Sequence, residues 1–242
     1  MDLELVGQQL KAAYHNVVLR YRQDDETEVQ TPNHRRLWTM LRSICLSFPT
    51  PTTVLDAGCG TGRYFHCLEN VKHLVGVDVS PDMLKAAEDP VLSQQITVRR
   101  IDLSCENIFR ASFAPATFDF IYSLGMFGNG CPVTTQICER FFAWLKPGGK
   151  LFFDALSVTN LPLRLRLRHS ARRLTRAVLP ARMKRRLDER QARLPLFALT
   201  RSALAAVMQT TPFTDFHIST QTSESSLWGG IRLECLALKQ TD

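Results

Sequence analysis

The stretch Val54 to Tyr64, V-L-D-A-G-C-G-T-G-R-Y, sets tight limits on what this chain can fold into. An apolar run ends in an acid, and three alternating glycines follow. Gly58, Gly60 and Gly62 allow the backbone to leave a strand sharply and to approach a ligand where a Cβ would collide. A second apolar run, Leu74 to Val77, ends in Asp78, sixteen residues after Gly62. A carboxylate at such a strand tip accepts hydrogen bonds from both hydroxyls of a ribose. The two segments together imply neighbouring strands that hold a nucleoside from their ends.

The kind of nucleoside follows from detail. A dinucleotide site needs G-x-G-x-x-G with a helix N-terminus facing a pyrophosphate, whereas this loop reads G-x-G-x-G. Asp56 lies two residues before the first glycine, where a negative charge opposes a pyrophosphate and suits the ammonium group of an amino-acid moiety. The pattern favours S-adenosyl-L-methionine over NAD.

On these motifs the chain resembles the class I S-adenosylmethionine-dependent methyltransferase family, over roughly Thr31 to Asp154 and again from Leu196 onwards. Asp56-Ala57-Gly58-Cys59-Gly60-Thr61-Gly62 is similar to the family's cofactor loop, and Gly76-Val77-Asp78-Val79-Ser80 to its ribose-binding strand end. Arg100-Ile101-Asp102-Leu103 resembles the third strand end, and the resemblance implies that Asp102 and the Leu103 N–H meet the adenine. Phe118 to Ser123 looks like the fourth strand, with Ser123 at its cofactor end. Leu145 to Leu151, around Pro147-Gly148-Gly149, looks like the turn into the fifth. The implied cofactor is S-adenosyl-L-methionine, with S-adenosyl-L-homocysteine as product.

At 242 residues and 45% hydrophobic, the chain has room for one α/β domain with a full core. Strands read at Thr53–Asp56, His73–Asp78, Thr97–Ile101, Phe118–Ser123, Lys150–Ala155, Thr214–Thr220 and Ile231–Leu238, with helix-like stretches between the earlier ones. Asn33 is suited to cap a helix carrying Leu37, Met40, Leu41 and Cys45, and Ser80-Pro81 to start another. Alternation of this sort predicts an α/β fold with a mostly parallel sheet. The resemblance adds the rest: a Rossmann-like three-layer sandwich of seven strands, order 3-2-1-4-5-7-6, with the last strand antiparallel. A single domain over 1–242 is expected. It divides into an amino-terminal cap helix (1–30), a cofactor-binding half (31–156), a basic helical insertion or lid (157–195) and a carboxyl-terminal helix with strands 6 and 7 (196–242).

Charge is concentrated in that insertion. Residues 164–193 hold twelve Arg and Lys against Asp188 and Glu189, a net +10, so a chain of net +7 is about −3 elsewhere. Leu163, Leu167, Ala171, Leu174 and Val178 share a helical stripe while arginines crowd the other faces. An amphipathic basic helix fits an anionic membrane surface, where each Lys or Arg contributes on the order of 1 kcal/mol. A solvated hairpin docked on its own domain fits the same pattern. RNA fits less well, because the segment has no aromatic residue for base stacking.

The acceptor-side groups are less constrained. The run after the fourth strand, Ser123 to Gly130, places Phe127 and Asn129 beside the transferring methyl group by resemblance, and it holds no strong base. Tyr14 and His15, on an amino-terminal helix that closes over the cofactor in similar enzymes, are further catalytic candidates. The Asn/Asp-Pro-Pro-aromatic motif of amide and adenine-nitrogen methyltransferases is missing. Seven cysteines without a C-x-x-C pair indicate neither a zinc site nor a disulfide scaffold. With an acidic amino terminus and no long apolar run, the expectation is a cytoplasmic protein, soluble or peripheral at a membrane. The acceptor expected is a small or lipid-like molecule. An RNA methyltransferase and a non-catalytic regulatory subunit are the alternatives.

Overall fold

In the computed structural model, residues 18–128, 130–160, 196–223 and 230–241 are described. The basic segment 164–193, residues 224–229, Tyr14, His15 and Asn129 lie outside the described residues.

Seven strands form one sheet in the order β3-β2-β1-β4-β5-β7-β6, as the resemblance implies. They are β1 (Thr52–Ala57), β2 (Val71–Asp78), β3 (Ile101–Cys105), β4 (Phe118–Phe127), β5 (Leu145–Leu156), β6 (Asp215–Ser223) and β7 (Gly230–Leu238). The first five pair in parallel, and β7 runs antiparallel to both β5 and β6. Successive residues of a strand point to opposite faces, so a sheet covered on both sides needs continuous apolar runs. Val54, Phe120 and Phe152 enter one core while Leu55, Ile121 and Phe153 enter the other.

Helices cover the two faces separately. On one side lie α2 (Pro32–Leu46) and α3 (Pro81–Ala87), through Leu37, Leu41, Ile44 and Leu84. On the other lie α4 (Thr135–Trp144) and α5 (Arg201–Gln209), through Ile137, Phe141, Leu204 and Met208. A further helix, α1 (Val18–Glu28), precedes α2. The cap of α2 is Thr31 rather than Asn33: the Thr31 hydroxyl accepts from His34 N at 3.1 Å, and Pro32 fills the first turn. Ser80 caps α3 as expected, its hydroxyl accepting from Met83 N at 3.4 Å. No described helix is long and apolar enough to cross a membrane.

Two connections depart from simple strand–helix alternation. Between β1 and β2 only a 3-10 turn, Phe65–Cys67, follows the glycine loop. Between β3 and β4 no helix forms; Ile108, Phe109 and Ala111 are buried in the core instead, and Arg140 holds the Phe109 and Ala111 carbonyls. Strand β3 also starts later than its composition suggests. It spans Ile101–Cys105 instead of Thr97–Ile101, so Asp102 pairs with Val75 in mid-strand, and the level of Asp78 is reached at Cys105.

Candidate active site

The site lies at the carboxyl ends of β1, β2 and β4, where strand order reverses, the position that open α/β sheets reserve for ligands. All three loop glycines have positive φ: Gly58 +82°, Gly60 +53° and Gly62 +76°. Their surroundings differ. A Cβ on Gly58 would meet Met126 at 2.8 to 3.0 Å, and one on Gly62 would meet Phe65 at 2.7 Å. One on Gly60 would meet nothing within 4 Å. Gly58 and Gly62 are therefore glycine for packing, and Gly60 keeps its side of the cleft open.

Asp78 ties the loop to the next helix. Its two carboxylate oxygens accept from Gly60 N and Ser80 N, each at 2.9 Å. Burial raises its pKa, opposed by those backbone N–H groups. One further lone-pair direction on each oxygen remains, which suits a pair of vicinal hydroxyls. Asp56, at the end of β1, is 2% exposed and borders the cleft. Burial pushes it up to about 8, against the pull of the neighbouring Tyr122 phenol and with the added push of Asp78.

Not every residue read from the motifs reaches the cleft. Asp56, Gly58, Cys59, Gly60, Asp78 and Val79 line it. Ala57, Gly62 and Ser123 support it from behind, the Ser123 hydroxyl donating to the Ala57 carbonyl at 2.7 Å. Asp102 and Leu103 are not brought there. Asp102 is half exposed and pairs with His73 Nε2 at 2.8 Å and Arg100 Nη2 at 2.6 Å, which hold its carboxyl below the usual range. Glu106, Asn107 and Ile108, just beyond β3, border the cleft in its place.

At the other end the lining includes residues that the motifs do not mark: Tyr21 and Glu28 of α1, Asn33 and Leu37 of α2, and Asp154, Gln221, Arg232 and Glu234. Arg232, 4% exposed, grips Asp154 through Nε and Nη2 at 2.7 and 2.8 Å, and Gly125 N donates to the same carboxylate at 2.7 Å. Arg36 pairs with Glu234 in the same way. A signal for these was present: Arg232 and Glu234 sit two apart in an apolar strand, hence on one face. Charges at such positions need partners. Helix α1 is joined to the glycine loop by Asp25, fully buried, which accepts from the Thr61 hydroxyl and Arg63 Nε, both at 2.5 Å.

The empty space of the cleft, its open mouth included, is about 1350 Å³.

Known proteins share this pattern. Residues 54–149 match the family described as Methyltransferase domain. The ubiquinone biosynthesis O-methyltransferase of Idiomarina loihiensis is 36% identical over 106 residues, covering 43% of this chain and 42% of that protein. The demethylmenaquinone methyltransferase of Lactiplantibacillus plantarum is 30% identical over 137 residues, 55% of this chain and 56% of that protein. The chain thus spans about half the length of these relatives. In fold it is similar to the 1,6-didemethyltoxoflavin-N1-methyltransferase of Burkholderia thailandensis, solved with its acceptor and S-adenosylhomocysteine. There the TM-score is 0.63 at 17% identity, over 100% of this chain and 92% of that one. The matched segment holds the glycine loop and Asp78, and the whole strand order agrees with the one the resemblance implies, so residues 54–149 carry a methyltransferase domain.

Proposed function

We propose that the protein transfers the methyl group of S-adenosylmethionine to a small-molecule or lipid-like acceptor, with S-adenosylhomocysteine as the second product. The observation that carries this reading is the single cleft with a nucleoside end (Asp56, Gly60, Asp78) and a separate polar end (Asp154, Arg232, Glu234). The residues fit the cofactor: Gly60 leaves open space, Asp78 offers two acceptor oxygens to the ribose, and Asp56 offers the amino-acid moiety a buried carboxyl that ionises beside a cationic group. The bound cofactor supplies an electrophilic methyl on a sulfonium. What the chain adds is orientation and exclusion of water along the line of transfer.

At the polar end the acidic side chains Asp154 and Glu234 are each paired with an arginine. Neither is a free base, which favours transfer driven by positioning. Arg232 Nη1 is buried without a hydrogen-bond partner. It suits an acceptor that presents an oxygen there. The relatives named for ubiquinone and menaquinone biosynthesis support a lipid-like acceptor. The net +10 of residues 164–193 supports presentation from an anionic surface.

The acceptor reading is tested with labelled S-adenosylmethionine and a panel of catechol-type quinone precursors and small amines, offered free and in vesicles with anionic lipid. Transfer to at least one, faster from anionic vesicles and slowed there by deletion of residues 164–193, is expected. No transfer to any of them, with transfer to RNA or to none, would overturn it.

Asp56 gives a pH test of the cofactor pose. Its folded pKa, about 8, lies above the ordinary carboxyl value. The native state therefore holds that proton more tightly than the unfolded one, and ionising it costs stability as pH rises from about 4 towards 8. A cationic ligand group beside Asp56 favours the ionised form, so binding should expel the proton. Between pH 6 and 7.5, affinity for S-adenosylmethionine should rise by up to about tenfold per unit. Calorimetry in buffers of different ionisation enthalpy reads the proton release directly, and Asp56→Asn should flatten the profile. Proton uptake, or a flat wild-type profile, counts against the pose.

A further inference from the structure

The geometry points to a transition-metal site, separate from the cleft, formed by His34, His66 and Cys67 and suited to zinc(II). His34 Nε2 and His66 Nε2 face each other at 3.1 Å, and Cys67 Sγ lies 3.5 Å from the second and 3.8 Å from the first. Three donor atoms bound tetrahedrally to one zinc, at about 2.0–2.1 Å for nitrogen and 2.3 Å for sulfur, stand about 3.3 Å (N···N) and 3.5 Å (N···S) apart. Each side of the observed triangle lies within about 0.3 Å of that spacing. All three side chains are enclosed, with His34 4%, His66 8% and Cys67 0% exposed.

Two neutral imidazoles meeting through Nε2 use one N–H and one lone pair, and leave the thiol with only weak partners. A cation at the centre would use both lone pairs and the sulfur, the thiol proton leaving as it binds. The ligand set of two imidazoles and one thiolate suits zinc and copper(I) and disfavours magnesium or calcium. Chain topology explains why no spacing motif announces it. His34 comes from the first turn of α2, while His66 and Cys67 come from the 3-10 turn after the glycine loop.

The outer support is weak. His34 Nδ1 and His66 Nδ1 are buried without hydrogen-bond partners, and the rings are fixed instead by stacking: His34 on His66 at 5.1 Å and on Tyr64 at 5.4 Å. Outer-shell partners are worth roughly 10–100-fold in affinity, so the site should bind more weakly than a fully supported one. Tyr64 also lines the cleft. An ion would therefore stiffen the wall between α2 and the glycine loop.

The test uses the full chain without a histidine tag, with Zn²⁺ in equilibrium dialysis and Co²⁺ and Cu⁺ as further probes. One Zn²⁺ per chain is expected, with affinity lowered at least about tenfold by His66→Gln and by Cys67→Ser and unchanged by Cys138→Ser, a buried cysteine on the other face of the sheet. Co²⁺ should give a thiolate charge-transfer band that Cys67→Ser abolishes, and a tighter fit for Cu⁺ would still support the site while changing its natural ion. Should the variants fail to fold, the wild-type protein decides: absence of stoichiometric Zn²⁺ binding, or a bound Co²⁺ without a thiolate band, overturns the proposal.

Discussion

Asp78→Ala should weaken S-adenosylmethionine binding by at least about a hundredfold while leaving a folded protein. A hydrogen bond to a charged acceptor contributes roughly 1.5–3 kcal/mol, and two ribose hydroxyls on one carboxylate make a loss of at least about 3 kcal/mol, a factor of more than a hundred. The fold loses less, because Gly60 N, one of the two N–H groups freed by the substitution, lines an open cleft where water can replace the carboxylate. Asp78→Asn sharpens the point. With a backbone donor already aimed at each oxygen, an amide must present its NH₂ to one of them. The isosteric change should therefore cost nearly as much as Ala. Calorimetry with S-adenosylmethionine, alongside circular dichroism and thermal melting, checks both. Binding within a few-fold of wild type for either variant would remove the ribose from Asp78.

How far the site was legible in the chain depends on how far apart its parts are. Asp56, Gly60 and Asp78 lie within one strand–loop–strand unit, and the parallel register of β1 with β2 brings them together with no help from elsewhere. At the adenine end, composition and pairing differ by one strand boundary. Residues 97–100 look extended, but β3 is an edge strand of half-buried residues, and little in its composition fixes where pairing begins. Shifting its start to Ile101 carries Asp102 away from the cleft and brings Glu106 and Asn107 to it. The polar end needed tertiary register. Asp154 pairs with Glu234 across β5 and β7, eighty residues apart, and only that antiparallel ladder sets Arg232 on Asp154. The triad of His34, His66 and Cys67 joins a helix turn to a loop in the same way. Only the pairing of buried charges hinted at the first of these, and nothing local hinted at the second.

Asp25→Ala is the substitution expected to cost most in stability, and it tests whether α1 is part of the site or merely near it. The Asp25 carboxylate is fully buried and carries both the Thr61 hydroxyl and the Arg63 guanidinium, itself only 15% exposed. Removing one member of a buried ion pair strands the other, at a cost of about 3–5 kcal/mol. For a protein of this size each kcal/mol moves the melting midpoint by roughly 2–4 °C, so a fall of about 10 °C is expected. Tyr21 and Glu28 of the same helix border the cleft. Loosened attachment of α1 should therefore weaken S-adenosylmethionine binding as well, although Asp25 does not line the cleft. The combination Asp25→Ala with Arg63→Met separates stranded charge from lost packing. If the stranded guanidinium dominates, the double variant melts above Asp25→Ala alone, and the coupling between the two positions is large. Additive losses would mean that the pair is incidental and that α1 is held by its other contacts.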